Sequence, residues 1–340
     1  MKVGDWVEVR PEPEILRTLD ENGQLDGMPF MPEMLPFCGL RFQVLKRAHK
    51  TCDGIARQSR RLERAVHLNI RCSGEAHGGC QAGCLLFWKE DWLRRVESGA
   101  LTAPIAPEAV PAQSQPAFGR KELFAATLRR QGESFRYVCQ VTQIRPASTL
   151  LPWWDLRQYF EDVLSGNVGM WSMICGCASG VCIAASRAVT GFERPVRWIF
   201  DRFHSLWNGH PFPYRMGKIP RGQRTPVSTL GLQCGEMVRV RSLPEIEQTL
   251  DTAGKNRGLY FDPEMVPYAN GKFRVLKRVN RIINEKTGRM LEFKTPGILL
   301  DSVACQGRYS TCRMFCPKNS YAIWHEAWLD REHSNEDPPE

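Results

Sequence analysis

Four cysteines near the amino terminus, Cys52, Cys72, Cys80 and Cys84, are separated by 19, 7 and 3 residues. Four thiolates match the tetrahedral preference of zinc, and such a closed site is structural because it leaves no coordination position for water. The last pair sits in CQAGC, a wider gap than the two residues common in zinc knuckles, and His49 and His77 are alternative ligands close by. An iron-sulfur cluster accepts the same four thiolates and would bring redox chemistry. Buried unligated thiols are the reading without function. A nucleophilic Cys80 beside His77 lacks an identifiable orienting group. Structural zinc is the expectation.

A second set, Cys305, Cys312 and Cys316, repeats the last three of these, whereas Cys52 corresponds to Ile283. A fourth ligand would have to come from His325, Cys234 or elsewhere. The set reads as a degenerate structural site; three thiolates with an open position would instead make a reactive metal centre. Cys175, Cys177 and Cys182 lie in an apolar run of Ala, Gly, Ile and Val, where cysteine acts as a small core residue.

What positions these thiols is a repeated module. Gly4 to Arg47 recurs without a gap at Gly235 to Arg278, with 22 of 44 positions identical. Val7 and Val9, Val238 and Val240, then Phe42 and Val44, Phe273 and Val275, alternate with polar residues at the period of half-buried strands. Pro32, Pro36, Pro263 and Pro267 exclude a long helix between them. The reading is α+β: two duplicated small SH3-like β-barrel modules, each ending in a cysteine knuckle and a C-terminal helix. Trp88 and Trp92, and Trp324 and Trp328, four apart, would lie on one face of that helix and pack into the barrel. A short helical turn is expected at Pro13 to Leu19.

The organisation expected is a zinc-knuckle module over 1–97, an Ala/Pro-rich linker over 98–117, a basic and mainly helical middle region over 118–232, a second module over 233–332 and an acidic tail over 333–340. The chain carries a net charge of +9, and the middle segment holds nearly all of it, with 15 Lys and Arg against 7 Asp and Glu over 118–234. The modules are close to neutral, which argues against nucleic-acid clamps. In the middle, Pro152 introduces an amphipathic helix reaching to Leu164, Val168 to Ser186 is free of charge, and Val196 to Trp207 forms a second amphipathic helix. Gly and Ser dilute the uncharged stretch, which favours a buried or interfacial helix over a membrane span. Arg194, Arg197, Arg215, Lys218, Arg221 and Arg224 are the candidate contacts to an anionic partner. Met1 to Arg10 runs directly into the strand pattern with no secretory leader. In the cytoplasm expected on that ground, thirteen cysteines point to metal ligation or buried thiols rather than disulfides, while the cationic, aromatic helices of residues 150–210 are the candidate for membrane association.

The strings AHKTCD, HGGCQAGCLLFWKEDWL, LPWWDLRQY, RGLYFDPEMVPY and CRMFCP resemble those of an uncharacterised group of bacterial hypothetical proteins with this two-module layout. The resemblance covers most of the chain and implies no catalytic residues. Walker, dinucleotide, metalloprotease and nucleophile-elbow motifs are absent, so no reaction is identified. The leading expectation is a non-catalytic, zinc-stabilised interaction or accessory protein whose basic helical middle meets an anionic membrane surface or a protein partner. The alternatives are a metal-dependent or redox enzyme with its site where a module meets the middle region, and a nucleic-acid-binding protein.

Overall fold

The computed structural model describes residues 1–97, 118–188, 193–205, 209–310 and 313–332. The expected linker, the acidic tail, Leu206, Trp207 and Cys312 lie outside them. The chain divides into two compact units: the first comprises Met1–Ile174, Arg281–Leu291 and Phe315–Lys318, the second Cys175–Asn280, Glu292–Met314 and Asn319–Glu340. The fold is mixed α+β, and its paired strands are antiparallel.

In the first unit the elements are β1 (Trp6–Val9), α1 (Glu12–Leu16), the two-residue ribbon β2 (Gln24–Leu25) and β3 (Met28–Pro29), β4 (Arg41–Arg47), β5 (Lys50–Asp53), β6 (Gln58–Arg61), β7 (Ala65–Arg71), β8 (Leu85–Lys89) and β9 (Leu93–Arg95). There follow α2 (Arg120–Ala125), the hairpin β10 (Leu128–Gln131) and β11 (Ser134–Tyr137), β12 (Thr149–Leu150) and α3 (Arg157–Leu164). Beyond these come α4 (Met170–Ala188), α5 (Glu193–Ser205), β13 (Met237–Val240), α6 (Leu243–Thr249), the ribbon β14 (Lys255–Asn256) and β15 (Leu259–Tyr260), β16 (Lys272–Ile283), β17 (Met290–Leu300), β18 (Trp324–His325) and β19 (Leu329–Arg331).

One five-stranded sheet has the order β8-β7-β4-β1-β9, and the other β18-β17-β16-β13-β19. The order is the same in both, with equivalent strands in equivalent places. Register agrees as well, since Val7 faces Phe42 and Val9 faces Leu93, while Val238 faces Phe273 and Val240 faces Leu329. The alternating valines are fully buried in both copies, as their period requires. Phe30 and Phe261, Met34 and Met265, Val44 and Val275 fill the same core positions.

The expected Trp-bearing helices are not formed. Trp88 lies in β8 and Trp324 in β18, and two short 3-10 turns, Glu90–Trp92 and Glu326–Trp328, carry Trp92 and Trp328. A strand that ends in a tight turn also returns every fourth residue to one side, so the spacing did not require a helix. Their burial is as expected. Phe30 packs edge-on against Trp92 at 5.2 Å, and Phe261 against Trp328 at 5.3 Å. The Trp92 Nε1–H donates to Thr18 Oγ1 at 3.1 Å, and Trp328 Nε1–H to Thr249 Oγ1 at 3.0 Å. A buried indole has one donor to satisfy, and both copies satisfy it with the same threonine.

The region after residue 118 is not uniformly helical. Strands β10 and β11 precede α3, and the turn at Pro152 to Asp155 delays the helix to Arg157. Among the described residues no helix is long and apolar enough to cross a membrane.

Candidate functional site

Three of the four thiols of the first copy, Cys72, Cys80 and Cys84, sit on a loop closed by its own ladder, whereas Cys52 lies in β5. Cys72 follows β7 and Cys84 precedes β8, and the Cys72 N–H donates to the Cys84 carbonyl at 2.8 Å, extending the Arg71–Leu85 pairing. Gly74, at φ +78°, brings the backbone against the Cys80 carbonyl, where a Cβ would collide. His77, buried on the same loop, directs Nδ1 to Glu33 Oε1 at 2.7 Å and Nε2 to the Val138 carbonyl at 3.0 Å. With both nitrogens committed, this imidazole neither activates Cys80 nor serves as a ligand in this arrangement. His49, the other alternative ligand, directs Nε2 to the Gln158 carbonyl and Asp162, each at 3.3 Å, and its buried Nδ1 has no hydrogen-bond partner among the described residues.

Next to Val138 stands Cys139, which the sequence reading did not connect with the knuckle. It is close enough to act electrostatically with Cys72, Cys80 and Cys84. The Cys80 sulfur accepts the Ile283 N–H at 3.4 Å, while Cys52 and Cys84 both act on the buried Lys318 ammonium. Burial pushes the Cys84 thiol up to about 12, against the pull of Lys318, and the Cys139 thiol up to about 11. Burial, with Glu33 and Cys84 adding to it, raises Cys72 further. With no metal bound, burial favours the protonated form of all three thiols at neutral pH. As the side chains stand, no group of three His, Cys, Asp or Glu among the described residues is arranged to hold a metal ion. In the second copy Cys305 belongs to the second unit and Cys316 to the first. His325 accepts the Ala327 N–H through Nδ1, and Cys234 is exposed.

The loop is anchored by a residue the sequence reading passed over. Glu33 holds His77, and its repeat equivalent Glu264 accepts the N–H groups of Arg308 and Tyr309 at 3.1 and 2.6 Å. Burial raises the Glu264 carboxyl above its ordinary range in spite of those two bonds. The signal was available: Pro-Glu-Met is identical in both copies, and a carboxylate has no place in a core stretch without donors to meet it.

Helix α3 is built inside out. Its inward positions are polar: Gln158 is 2% exposed and Asp162 is 0%. Asp162 Oδ2 meets the buried Lys50 Nζ at 2.5 Å, and Oδ1 lies 3.3 Å from His49 Nε2. Lys50 also sits 5.3 Å over the Tyr159 ring and 5.7 Å over that of Phe315. Burial holds its ammonium below the usual lysine range, with Asp162 opposing. Asn167 clamps the strand end, accepting the Arg47 N–H at 2.8 Å and donating to its carbonyl at 2.7 Å. Since the inner face is spent on ions and amides, the apolar residues point outward. Phe160 is 68% exposed and Leu164 71%, and in the preceding turn Trp153 and Trp154 are 72% and 66% exposed.

The later helices bury apolar side chains of their own, Ile183 in α4 and Phe200 in α5, and expose others. Trp171, Ile174, Cys177 and Val181 are exposed along α4, and Trp198, Ile199 and Phe203 along α5, where Phe200 and His204 are buried. Of the candidate cations, Arg197 is exposed with Asp201 at 4.0 Å, and Lys218, Arg221 and Arg224 are exposed. Arg194 lies within α5. Arg215, expected on an exposed loop, is 8% exposed and bound to Glu247 at 3.0 Å, so it belongs to the packing of the second unit. No known protein family and no curated protein sequence matches this chain.

Proposed function

We propose that the protein is a non-catalytic interaction protein that docks on an anionic lipid surface through the exposed apolar faces of its helical segment. The observation that carries this reading is α3, where the polar face is buried and Leu156, Phe160 and Leu164 face water. Exposed apolar side chains recurring at helical spacing mark an interaction surface. Trp153, Trp154, Trp171 and Trp198 among them suit the boundary of headgroup and acyl chain. The excess positive charge of the same segment supports an anionic surface.

In this reading the two five-stranded units are SH3-like carriers. Zinc, held by Cys72, Cys80 and Cys84 with Cys52 or Cys139, would pin the first knuckle. What supports zinc is the collection of thiols at one loop; metal content of the purified chain tests it, and no bound metal at any stoichiometry removes it. The docking itself is tested by flotation with phosphatidylcholine vesicles containing phosphatidylserine, comparing the full chain with Phe160→Ser/Leu164→Ser. Equal flotation of both, or none of the wild type, overturns the lipid reading and leaves the apolar faces to a protein partner.

A further inference from the structure

In the first unit, Asp53 and Ile55, the loop 141–146, Arg136 on β11 and the hairpin tip at Glu285 and Lys286 enclose a cavity of about 140 Å³. That is roughly ten times the ~10–15 Å³ that admits a single water and well below the ~300 Å³ where pockets for larger ligands begin, so its occupant has few atoms. Five charged side chains line it, three cationic and two anionic. Both anions are already spent. Asp53 binds Arg145 at 2.6 Å, and Glu285 binds the buried Lys318 at 2.9 Å. Arg136 and Lys286 remain, with no carboxylate within ion-pair distance among the described residues. The Arg136 Nε is buried and lacks a hydrogen-bond acceptor, and Gly288 packs against the same side chain so closely that a Cβ would strike it. A desolvated guanidinium nitrogen without an acceptor is unfavourable until something brings one.

We propose that this cavity binds a small dianionic oxyanion, inorganic phosphate or the phosphate of a monoester. Arg136 offers the planar fork that matches two oxygens of such a group, and Lys286 offers a point charge. Two uncompensated cations match two negative charges, which favours phosphate over a single carboxylate.

The test is calorimetric titration of the full chain with inorganic phosphate, and separately with glycerol 3-phosphate, at ionic strength held constant with chloride. Saturable one-to-one binding is expected, weakened about tenfold or more by Arg136→Gln and by Lys286→Gln and unchanged by Arg94→Gln, an exposed side chain of β9. Lys286→Gln alters only a hairpin tip, so it reports even if Arg136→Gln fails to fold. A lipid headgroup is the other source of a phosphomonoester. Flotation with phosphatidic acid vesicles separates the two, because only a headgroup site makes flotation fall in Lys286→Gln. Absence of saturable binding in every arm, or binding indifferent to both substitutions, overturns the proposal.

Discussion

Replacing Asp162 by Asn tests whether the ion pair beneath α3 is what turns the helix inside out. Lys50 and Asp162 are 2.5 Å apart and buried. At an effective dielectric of about 20 their attraction is roughly 6–7 kcal/mol. Removing each ion from water costs several kcal/mol, so the intact pair nets little. Taking away one partner is different, because Asp162→Asn leaves an uncompensated ammonium and is expected to destabilise the first unit by about 3–5 kcal/mol. Lys50→Met/Asp162→Leu removes both charges and is expected to lie within about 1 kcal/mol of wild type, at least about 2 kcal/mol more stable than Asp162→Asn. The assay is urea unfolding followed by amide exchange of residues 41–53 and 157–166, which reads the first unit by itself. A cost under about 1 kcal/mol for Asp162→Asn, or a double variant no better than the single, would refute the argument that buried charge dictates the outward apolar face.

Phe160→Ser/Leu164→Ser is expected to change unfolding free energy by no more than about 0.5 kcal/mol per site, because both side chains are exposed; urea titration checks this, and a large loss would show that the face is core. Thr18→Val and Thr249→Val each strip the acceptor from a buried indole N–H and are expected to cost about 1–3 kcal/mol, each in its own unit, read by amide exchange around Trp92 and Trp328. His67 is fully buried, with Nδ1–H donating to the Leu86 carbonyl at 2.9 Å, and burial pushes its pKa down to about 4. Between about 4 and about 6.5 the unfolded chain binds the proton that the folded chain refuses, so stability falls as pH drops through that window, by up to about 3 kcal/mol. His67→Gln should flatten that slope in urea titrations run from pH 7 to 4.5. In the metal-free protein, buried Cys139 should react with a disulfide reagent only on unfolding, while exposed Cys234 reacts at once; rapid native labelling of Cys139 would contradict its burial.

The strands and the core were legible because they obey a period. Val7, Val9, Val238 and Val240 alternate, and internal identity doubled the signal. The tryptophan turn was misread because a four-residue spacing arises both in a helix and in a strand that ends in a 3-10 turn. The amphipathicity of α3 was legible, but its direction was not. Periodicity locates an apolar face and says nothing of which face meets the protein, and here Lys50, which pairs with Asp162 from 112 residues away, decides it. Cys139 escaped notice for the same reason, since only the fold brings a thiol after β11 beside the loop between β7 and β8.

The two copies also separate what the module requires from what one copy adds. Glu33 and Glu264 occupy the same place in the repeat, and each reaches the loop between two strands of its sheet, β7 and β8 or β17 and β18, yet one meets an imidazole and the other two backbone N–H groups. A buried carboxylate without donors would cost several kcal/mol, so its retention with different partners makes anchoring of that loop the shared requirement. In the sequence Cys305, Cys312 and Cys316 repeat Cys72, Cys80 and Cys84, but the first copy alone has the fourth, Cys52, where the other has Ile283. Loop anchoring is therefore carried by the carboxylate in both copies, and thiol chemistry, with metal or without, is laid over a loop already held. On that ground, loss of the thiols by Cys72→Ser/Cys84→Ser should leave the His77–Glu33 contact intact, whereas Glu33→Ala should release the loop while every cysteine is still present; amide exchange across 73–83 distinguishes the two, and equal protection in both variants would place the anchor elsewhere.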